Sequence, residues 1–297
     1  MRVLITGATG FIGVALCKEM IKNGHDVTAI IRENSNKKSK LPKEVEIVEL
    51  SLDRLNEFNG SYDLMYHLAW NGSSGNDRND FDMQYSNIKY TVEAIKLAKR
   101  CNCKKFIGAG SQAEYGVVHG EAKEDETICK PFMMYGAAKL AAYQMGKLVA
   151  EQEGISFVWP RIYSVYGVGE NEGTLISYLV KTLQEGNVPE LSPCENMWNF
   201  MYIDDCARAL RMLGENKDTE GIYNVASSDT RLLKDFVIEA KNTINKNICV
   251  NFGAKKVNEK TTFWLEPNCT KINDLGYEDK IDFYDGINNK ISGIDKT

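Results

Sequence analysis

A strand-like run at the start of the chain leads directly into glycines spaced three residues apart, and this feature most restricts the possible fold. Residues 3–6 run into Gly7-Ala8-Thr9-Gly10-Phe11-Ile12-Gly13, and a helical pattern covers residues 11–23. The first glycine permits a tight turn, the second lets the backbone approach a pyrophosphate, and the third lets the helix pack closely on the strand. The helix N-terminus directs free N–H groups and its positive dipole end at the phosphates. The spacing predicts a dinucleotide site formed by Gly7, Thr9, Gly10, Phe11, Ile12 and Gly13.

Strand-like and helix-like segments alternate over the first 165 residues. The helical segment 83–100 places Ile88, Val92 and Ile95 on one face, which is the period of an α-helix. Such alternation indicates a parallel sheet with helices on both faces, wound through right-handed crossovers. We therefore predict an α/β fold with a doubly wound parallel sheet, the Rossmann architecture. The predicted strands are 3–6, 27–31, 45–50, 64–67, 105–108 and 156–160, and the predicted helices are 11–23, 83–100 and 133–153.

Composition excludes several classes of protein. The 297 residues include 36 Lys and Arg against 41 Asp and Glu, a net charge of −5, which argues against a nucleic-acid surface. No apolar stretch approaches the roughly 18 residues of a membrane span. The three histidines lack metal-ligand spacing and the eight cysteines form no CxxC pair, so we expect no metal site. Because Met1 precedes a strand-like run at once, no leader is expected, and we predict a cytoplasmic protein with reduced thiols.

The end of the second predicted strand bears on the choice of dinucleotide. Enzymes that use NAD usually place a carboxylate there for the ribose 2′-hydroxyl, whereas an arginine suits a 2′-phosphate. Here the strand ends at Arg32-Glu33, with Ser35, Lys37 and Lys38 nearby. Arg32 favours NADP as the cofactor, and Glu33 keeps NAD as the alternative.

A tyrosine and a lysine four residues apart share a helix face, and the ammonium can lower the pKa of the phenol from about 10. Such a tyrosine exchanges protons with a substrate carbonyl near neutral pH. Tyr135 with Lys139 is the favoured pair because it begins a helix after a proline-containing loop at the carboxyl edge of the sheet. Ser111 ends the fifth strand at the same edge and can donate to a carbonyl oxygen. Two further pairs are expected to be surface or packing residues, Tyr85 with Lys89 and Tyr143 with Lys147.

These motifs together resemble the extended short-chain dehydrogenase/reductase family, which includes nucleotide-sugar epimerases, dehydratases and ketoreductases. The resemblance covers nearly the whole chain. It implies that Ser111, Tyr135 and Lys139 form the catalytic triad, and that Leu68, Ala69, Arg32, Tyr135 and Lys139 contact the cofactor. Beside the glycine loop and the triad, it rests on His67-Leu68-Ala69, Asn87, Tyr115-Gly116, Pro160-Arg161-Ile162-Tyr163-Ser164-Val165-Tyr166-Gly167, Asn199-Phe200-Met201-Tyr202-Ile203-Asp204-Asp205 and Tyr223-Asn224-Val225.

The resemblance also implies a domain organisation and partners. Residues 1–166, with 199–226 returning to the sheet, would form the dinucleotide-binding domain. Residues 167–198 and 227–297 would form a smaller C-terminal α+β substrate lobe for a nucleotide-linked sugar. A homodimer through the helices at 83–100 and 133–153 is expected.

The sequence departs from the family pattern at two places. The 4,6-dehydratases carry an Asp-Glu pair after the triad serine or threonine, where this chain has Gln112 and Ala113, so dehydratase activity is not expected. Glu114 comes one position late. Trp198 stands where relatives often have a phosphate-binding arginine, and no arginine lies near Leu265-Glu266-Pro267. Substitute cations are Arg231, Lys255, Lys256 or Lys260, and the expected substrate contacts are Ser111, Gln112, Tyr163 and Trp198.

Three functions remain open from the sequence. The favoured one is reduction at C4 of a nucleotide-linked 4-keto-6-deoxyhexose, with NADPH as the hydride donor. The second is a nucleotide-sugar 4-epimerase with tightly bound NAD. The third is a non-catalytic dinucleotide sensor. Sensors on this fold have usually lost the tyrosine or the lysine of the triad, and both are present here.

Overall fold

The computed structural model describes residues 1–257 and 264–293. The strands are β1 (Arg2–Thr6), β2 (Asp26–Ile31), β3 (Glu46–Glu49), β4 (Leu64–His67), β5 (Lys105–Gly108), β6 (Gly110–Ser111), β7 (Ser156–Ile162), β8 (Ser164–Tyr166), β9 (Glu190–Leu191), β10 (Met197–Tyr202), β11 (Gly221–Val225), β12 (Thr230–Leu232) and β13 (Asn251–Phe252). The α-helices are α1 (Phe11–Lys22), α2 (Phe81–Arg100), α3 (Met134–Glu153), α4 (Leu175–Gln184), α5 (Ile203–Glu215), α6 (Leu233–Asn245), α7 (Thr270–Asn273) and α8 (Phe283–Ser292).

The main sheet is parallel and doubly wound, which confirms the predicted α/β Rossmann class. Its strand order is β11-β7-β5-β4-β1-β2-β3, and the short strand β6 also pairs with β7. The chain first builds outward from β1 through β2 to β3, then crosses to the other side of β1 with β4. Ligands of such sheets bind at the carboxyl ends of the strands, where the order reverses.

Helices cover both faces of this sheet, which explains why β1 is apolar at successive positions rather than alternating. Val3 and Ile5 pack into one core with Leu210 of α5, while Leu4 packs into the opposite core with Ala98 of α2. Helices α1 and α5 lie together on the first face, and α2 and α3 lie together on the second. In the described part of the chain, no helix has the length and apolar character needed to cross a membrane.

The second half of the chain, from β8 onward, forms two smaller sheets with helices packed around them. Strands β12, β10 and β8 form a three-stranded sheet, β13 pairs with β9, and helices α4, α6 and α8 pack around a core that includes Phe200, Phe236 and Phe283. Of the segment 199–226, which the resemblance returns to the sheet, β11 joins the main sheet and α5 packs on its face. Strand β10 instead pairs with β8 and β12.

The register of the main sheet brings three strand ends to one level. Thr6 pairs with His67, and His67 pairs with Gly108. Strands β5 and β6 both pair with β7. Between them, Gly108 and Ala109 do not pair with Trp159 and Pro160, which lie opposite. Proline has no N–H to donate. The chain segments that follow β1, β4 and β5 therefore meet at one edge.

Candidate active site

The three loop glycines are required for two different reasons. Gly7 has a φ of +75°, and a Cβ there would lie 2.4 Å from the backbone N of Ala69. A Cβ on Gly13 would lie 2.3 Å from the carbonyl oxygen of Gly7. A Cβ on Gly10 would meet only that same oxygen, at 3.2 Å, so this glycine keeps one side open. Gly7 thus permits both the turn predicted from the sequence and close packing, Gly13 permits close packing, and the approach of a ligand at Gly10 stays a prediction.

A cavity of about 750 Å³ extends from this loop along the carboxyl edge of the sheet. Helix α1 begins at its wall, and no side chain caps its first turn, so backbone N–H groups remain for an anion. Two features of the cavity suit a dinucleotide: the glycines of the loop leave room beside the backbone, and the uncapped start of α1 offers N–H groups to phosphates. The predicted site residues that line it are Gly7, Thr9, Gly10, Phe11, Ile12, Gly13, Arg32, Leu68, Ala69, Ser111, Gln112, Tyr135, Lys139 and Tyr163.

Ser111 is held by the buried carboxylate of Glu114. That carboxylate accepts hydrogen bonds from the Ser111 backbone N–H at 2.8 Å, from Trp159 Nε1 at 2.9 Å and from Arg161 Nε at 2.8 Å. Glu114 is fully buried, away from the cavity. Its side chain is therefore engaged in the interior by three hydrogen-bond donors.

Tyr135 lies in the first turn of α3, with its ring in the cavity wall. Burial raises the pKa of its phenol, while a hydrogen bond with the Ser111 side chain and the charge of Arg78 act in the opposite direction. The Arg78 guanidinium lies 4.6 Å from the centre of the Tyr135 ring. The indole of Trp70 meets the same ring edge-on at 6.1 Å. The phenol thus faces Ser111 and sits between a cation and an aromatic.

Lys139 lies one turn further along α3 and is buried. Its ammonium donates to the Ala109 carbonyl oxygen at 2.6 Å and lies 3.5 Å from the centre of the Trp70 ring. Burial lowers the pKa of Lys139 to about 7, although Glu114 acts to raise it. The ammonium is 5.8 Å from the centre of the Tyr135 ring. Arg78 is thus the nearer of the two cations to the ring, and the lowering of the phenol pKa by Lys139 stays a prediction.

Two polar residues shape the segment after β4. His67 Nδ1 lies 2.7 Å from the Thr6 hydroxyl, and burial, with the charge of Lys139, lowers the pKa of His67 to about 3. Asn87 of α2 accepts from the Asn71 N–H at 2.9 Å and donates to the Asn71 carbonyl at 2.8 Å. His67 is therefore a neutral packing residue, and Asn87 fixes the chain that carries Leu68, Ala69 and Trp70.

The far end of the cavity is basic. Arg32, Lys37 and Lys40 line it together with Leu50 and Leu52. Glu33 is turned to Arg54, whose Nη1 lies 2.6 Å from its carboxylate. Lys38, which the sequence grouped with these cations, pairs with Glu49.

The expected substrate contacts divide into two groups. Gln112 and Tyr163 line the cavity, and the Gln112 side-chain oxygen is buried without a hydrogen-bond partner among the described residues. Trp198 is absent from the described cavity lining and packs against Phe200 at 6.0 Å, which is the position of a core aromatic.

Two of the four candidate phosphate cations, Arg231 and Lys255, contact other side chains. Arg231 pairs with Glu239 at 2.6 Å and lies over the Phe236 ring at 4.2 Å. Lys255 lies over Tyr178 at 4.7 Å, and Lys256 is exposed outside the described cavity lining. Lys260 lies outside the described residues. The described contacts therefore give no support for Arg231 as a phosphate ligand.

Sequence reasoning missed several lining residues. Trp70 directly follows the predicted cofactor contacts Leu68 and Ala69. Its position just after the end of β4 could have marked it as a lining residue. Asn71, Ser73, Val168, Gly169 and Asn171 also line the cavity, on loops without a local motif. Within residues 1–257 and 264–293, no group of three or more His, Cys, Asp or Glu is arranged to hold a metal ion.

The sequence model of the NAD dependent epimerase/dehydratase family matches residues 3–226. The chain belongs to this family. Its members are NAD-dependent epimerases, dehydratases and reductases, which confirms the prediction of an enzyme. The resemblance stated from the motifs is confirmed with it.

Curated relatives of similar length fall into both epimerase and reductase groups. The uncharacterized UDP-glucose epimerase YtcB of Bacillus subtilis is 24% identical, with 98% of this chain and 97% of that protein covered. The dTDP-4-dehydro-6-deoxyglucose reductase of Escherichia coli is 25% identical, with 84% of each chain covered.

Solved structures share the fold over nearly the full chain. The UDP-N-acetylglucosamine 4-epimerase of Methanobrevibacter ruminantium, in complex with UDP-N-acetylmuramic acid, superimposes with a TM-score of 0.88 at 21% identity, covering 98% of this chain and 97% of that one. The UDP-glucose 4-epimerase of Thermus thermophilus, in complex with NAD, gives a TM-score of 0.86 at 20% identity, with 99% of each chain covered.

Proposed function

We propose that this enzyme reduces the C4 keto group of a nucleotide-linked 4-keto-6-deoxyhexose. The observation that carries the proposal is the convergence of Ser111, Tyr135 and Lys139 on the wall of a cavity whose other end is the glycine loop. The interior position of Glu114 supports reduction over elimination, because no carboxylate pair follows Ser111. The similarity to a reductase of a 4-dehydro-6-deoxyhexose nucleotide supports the substrate class.

In this mechanism the protein supplies one proton and orients the substrate carbonyl. A nicotinamide dinucleotide, when bound, supplies the hydride that reaches C4. Tyr135 gives its hydroxyl proton to the C4 oxygen, which completes the alcohol. Ser111 donates a hydrogen bond to the same oxygen and fixes its direction, since its backbone is tied to Glu114. Lys139, in the cavity wall, holds its ammonium at the Ala109 carbonyl and over the Trp70 ring.

The dinucleotide we propose is NADP. Arg32, Lys37 and Lys40 provide three positive charges at the end of the cavity where a ribose 2′-phosphate would lie. The carboxylate of Glu33, which an NAD enzyme would offer to the 2′-hydroxyl, is engaged by Arg54.

A second candidate is a nucleotide-sugar 4-epimerase with tightly bound NAD. The family description and the shared fold with 4-epimerases favour it. Incubation of the purified enzyme with NADPH and UDP- or dTDP-linked 4-keto-6-deoxyglucose separates the two. A reductase consumes one NADPH per sugar, whereas an epimerase interconverts C4 epimers such as UDP-glucose and UDP-galactose with no net change in nicotinamide absorbance.

Replacement of Tyr135 by Phe tests the mechanism. We expect Tyr135→Phe to abolish turnover while circular dichroism and thermal unfolding stay as in the wild type. The matched control is Tyr284→Phe, because Tyr284 is an exposed tyrosine of α8 and lies outside the described cavity lining. The mechanism is wrong if Tyr135→Phe keeps full turnover, or if Tyr284→Phe loses as much.

The domain division and the dimer belong to the same proposal. We propose that residues 167–198 and 227–297 form the substrate lobe, supported by Val168, Gly169 and Asn171 in the cavity wall. A homodimer through α2 and α3 is supported by apolar side chains exposed on these helices. They are Phe81, Tyr85, Met145 and Leu148.

A further inference from the structure

The turn that carries Arg78 is tied to both helices of the site. It is a single 3-10 turn, Gly75–Asn79, between β4 and α2. The Gln84 side chain donates to the carbonyls of Gly72 at 2.8 Å and Asp77 at 3.0 Å. Asn79 accepts from the backbone N–H of Met134 at 3.2 Å, one residue before Tyr135. The turn and the start of α3 therefore hold Arg78 and Tyr135 in a fixed relation.

Among the described residues, no acidic side chain pairs with Arg78 to explain its position. It is half-buried, and its guanidinium lies 4.6 Å from the centre of the Tyr135 ring. Its Nε is buried without a hydrogen-bond partner within residues 1–257 and 264–293. Burying a guanidinium is costly unless a partner compensates. The described contact that compensates here is the face of a tyrosine.

The charged and hydrogen-bonding groups that act on Tyr135 come from four elements. Ser111 at the end of β6 bonds with the phenol, and Glu114 in the following turn places a negative charge nearby. Lys139, on the same helix as Tyr135, lies 5.8 Å from the ring centre, further than Arg78. Arginine stays charged at all working pH values, whereas burial lowers the pKa of Lys139 to about 7. Arg78 is thus the permanent positive charge on the ring.

We propose that Arg78 is a positioning residue that stabilises the phenolate of Tyr135 through the face of its ring. The inference rests on the proposed role of Tyr135 as the proton donor. A cation above an aromatic ring is attracted weakly by the neutral ring and more strongly once the ring carries a negative charge. Arg78 therefore favours the state that Tyr135 reaches when its proton has moved to the substrate oxygen, and it supplements Lys139.

Direct titration of the phenol tests this without substrate or dinucleotide. The full chain is prepared with 3,5-difluorotyrosine at position 135 only, because fluorination acidifies the phenol and provides a single ¹⁹F signal. The signal is followed against pH in the otherwise wild-type protein and with Arg78→Met, Arg78→Gln and Arg78→Lys. The control is Arg54→Met, which removes an exposed guanidinium on the surface.

We expect Arg78→Met and Arg78→Gln to reduce the ionisation constant of residue 135 at least about tenfold, and Arg78→Lys to restore part of the loss. Arg54→Met should leave it unchanged. Thermal unfolding identifies any variant that fails to fold, and the remaining neutral variant then decides. Equal titration with and without Arg78, or an equal shift in Arg54→Met, overturns the inference. Because the readout needs no turnover, failure of the proposed reaction leaves this result intact.

Discussion

The backbone N–H of Ser111 donates to the carboxylate of Glu114 at 2.8 Å, three residues along the chain. The same carboxylate is paired with Arg161, and both side chains are almost completely buried. The serine proposed to orient the substrate carbonyl is thus attached to an ion pair in the protein interior. Changes to that pair should act on the site without touching the cavity.

Glu114→Gln keeps the shape of the side chain but leaves the Arg161 charge buried without its counterion. We expect it to lower the free energy of unfolding by about 3–5 kcal/mol, since breaking a buried pair from one side has that cost. The catalytic rate constant should fall as well. Urea denaturation measures the first effect. Addition of Arg161→Met should recover part of the stability, and a Glu114→Gln protein as stable as the wild type would contradict this account.

Gly7 and Gly24 offer a matched pair for the glycine loop. Both have positive φ angles, +75° and +77°, but a Cβ meets the Ala69 backbone at 2.4 Å at Gly7 and no atom within 4 Å at Gly24. Gly24→Ala should cost about 1–2 kcal/mol through φ alone. Gly7→Ala should cost more and also weaken NADPH binding, as measured by fluorescence titration. Equal losses in the two variants would show that close packing at Gly7 is unimportant.

Arg32→Ser tests the dinucleotide preference. The loss of a charged hydrogen bond to a phosphate should reduce NADPH affinity about tenfold or more and leave NADH affinity nearly unchanged. Lys43→Ser removes an exposed charge in the same connection between β2 and β3, outside the described cavity lining, and serves as the control. Isothermal titration calorimetry gives both dissociation constants. A wild-type preference for NADH would remove the basis of the NADP assignment.

The buried Lys139 predicts a dependence of stability on pH. Its folded pKa of about 7 lies below the ordinary value near 10.4, so between these values the unfolded chain binds the extra proton. The free energy of unfolding should therefore rise with pH from about 7 to about 10. Urea denaturation at several pH values, in parallel with Lys139→Met, checks this. The variant should show a smaller rise, and identical slopes would mean that Lys139 keeps an ordinary pKa.

The proposed dimer can be tested on α3. Leu148 is 60% exposed and Val188, in a loop after α4, is 53% exposed. A charge at an apolar interface is expensive to bury, so Leu148→Glu should yield a monomer while Val188→Glu remains a dimer. Light scattering after size-exclusion chromatography gives the masses. A monomeric wild-type protein would refute the proposal outright.

The sequence predicts well what depends on neighbours along the chain. Strands β4 and β5 have the predicted bounds, 64–67 and 105–108, because short apolar runs are bracketed by turn residues. The glycine loop and the Tyr135–Lys139 spacing are also local, so they are readable without a structure.

Contacts between distant segments could not be predicted in the same way. The approach of Arg78 to Tyr135 joins residues that are far apart in sequence and depends on how α2 packs against α3. The core position of Trp198 similarly depends on the pairing of β10 with β8 and β12. Hydrophobic periodicity carries no information about either arrangement.

The gap in the ladder at Ala109, opposite Pro160, has an evolutionary consequence. The oxygen that receives the Lys139 ammonium belongs to the peptide backbone. Point substitutions at position 109 change a side chain but keep a backbone oxygen in the chain. An insertion or deletion between β5 and β6 would shift that oxygen away from Lys139, so the contact depends on the length of this connection more than on its composition.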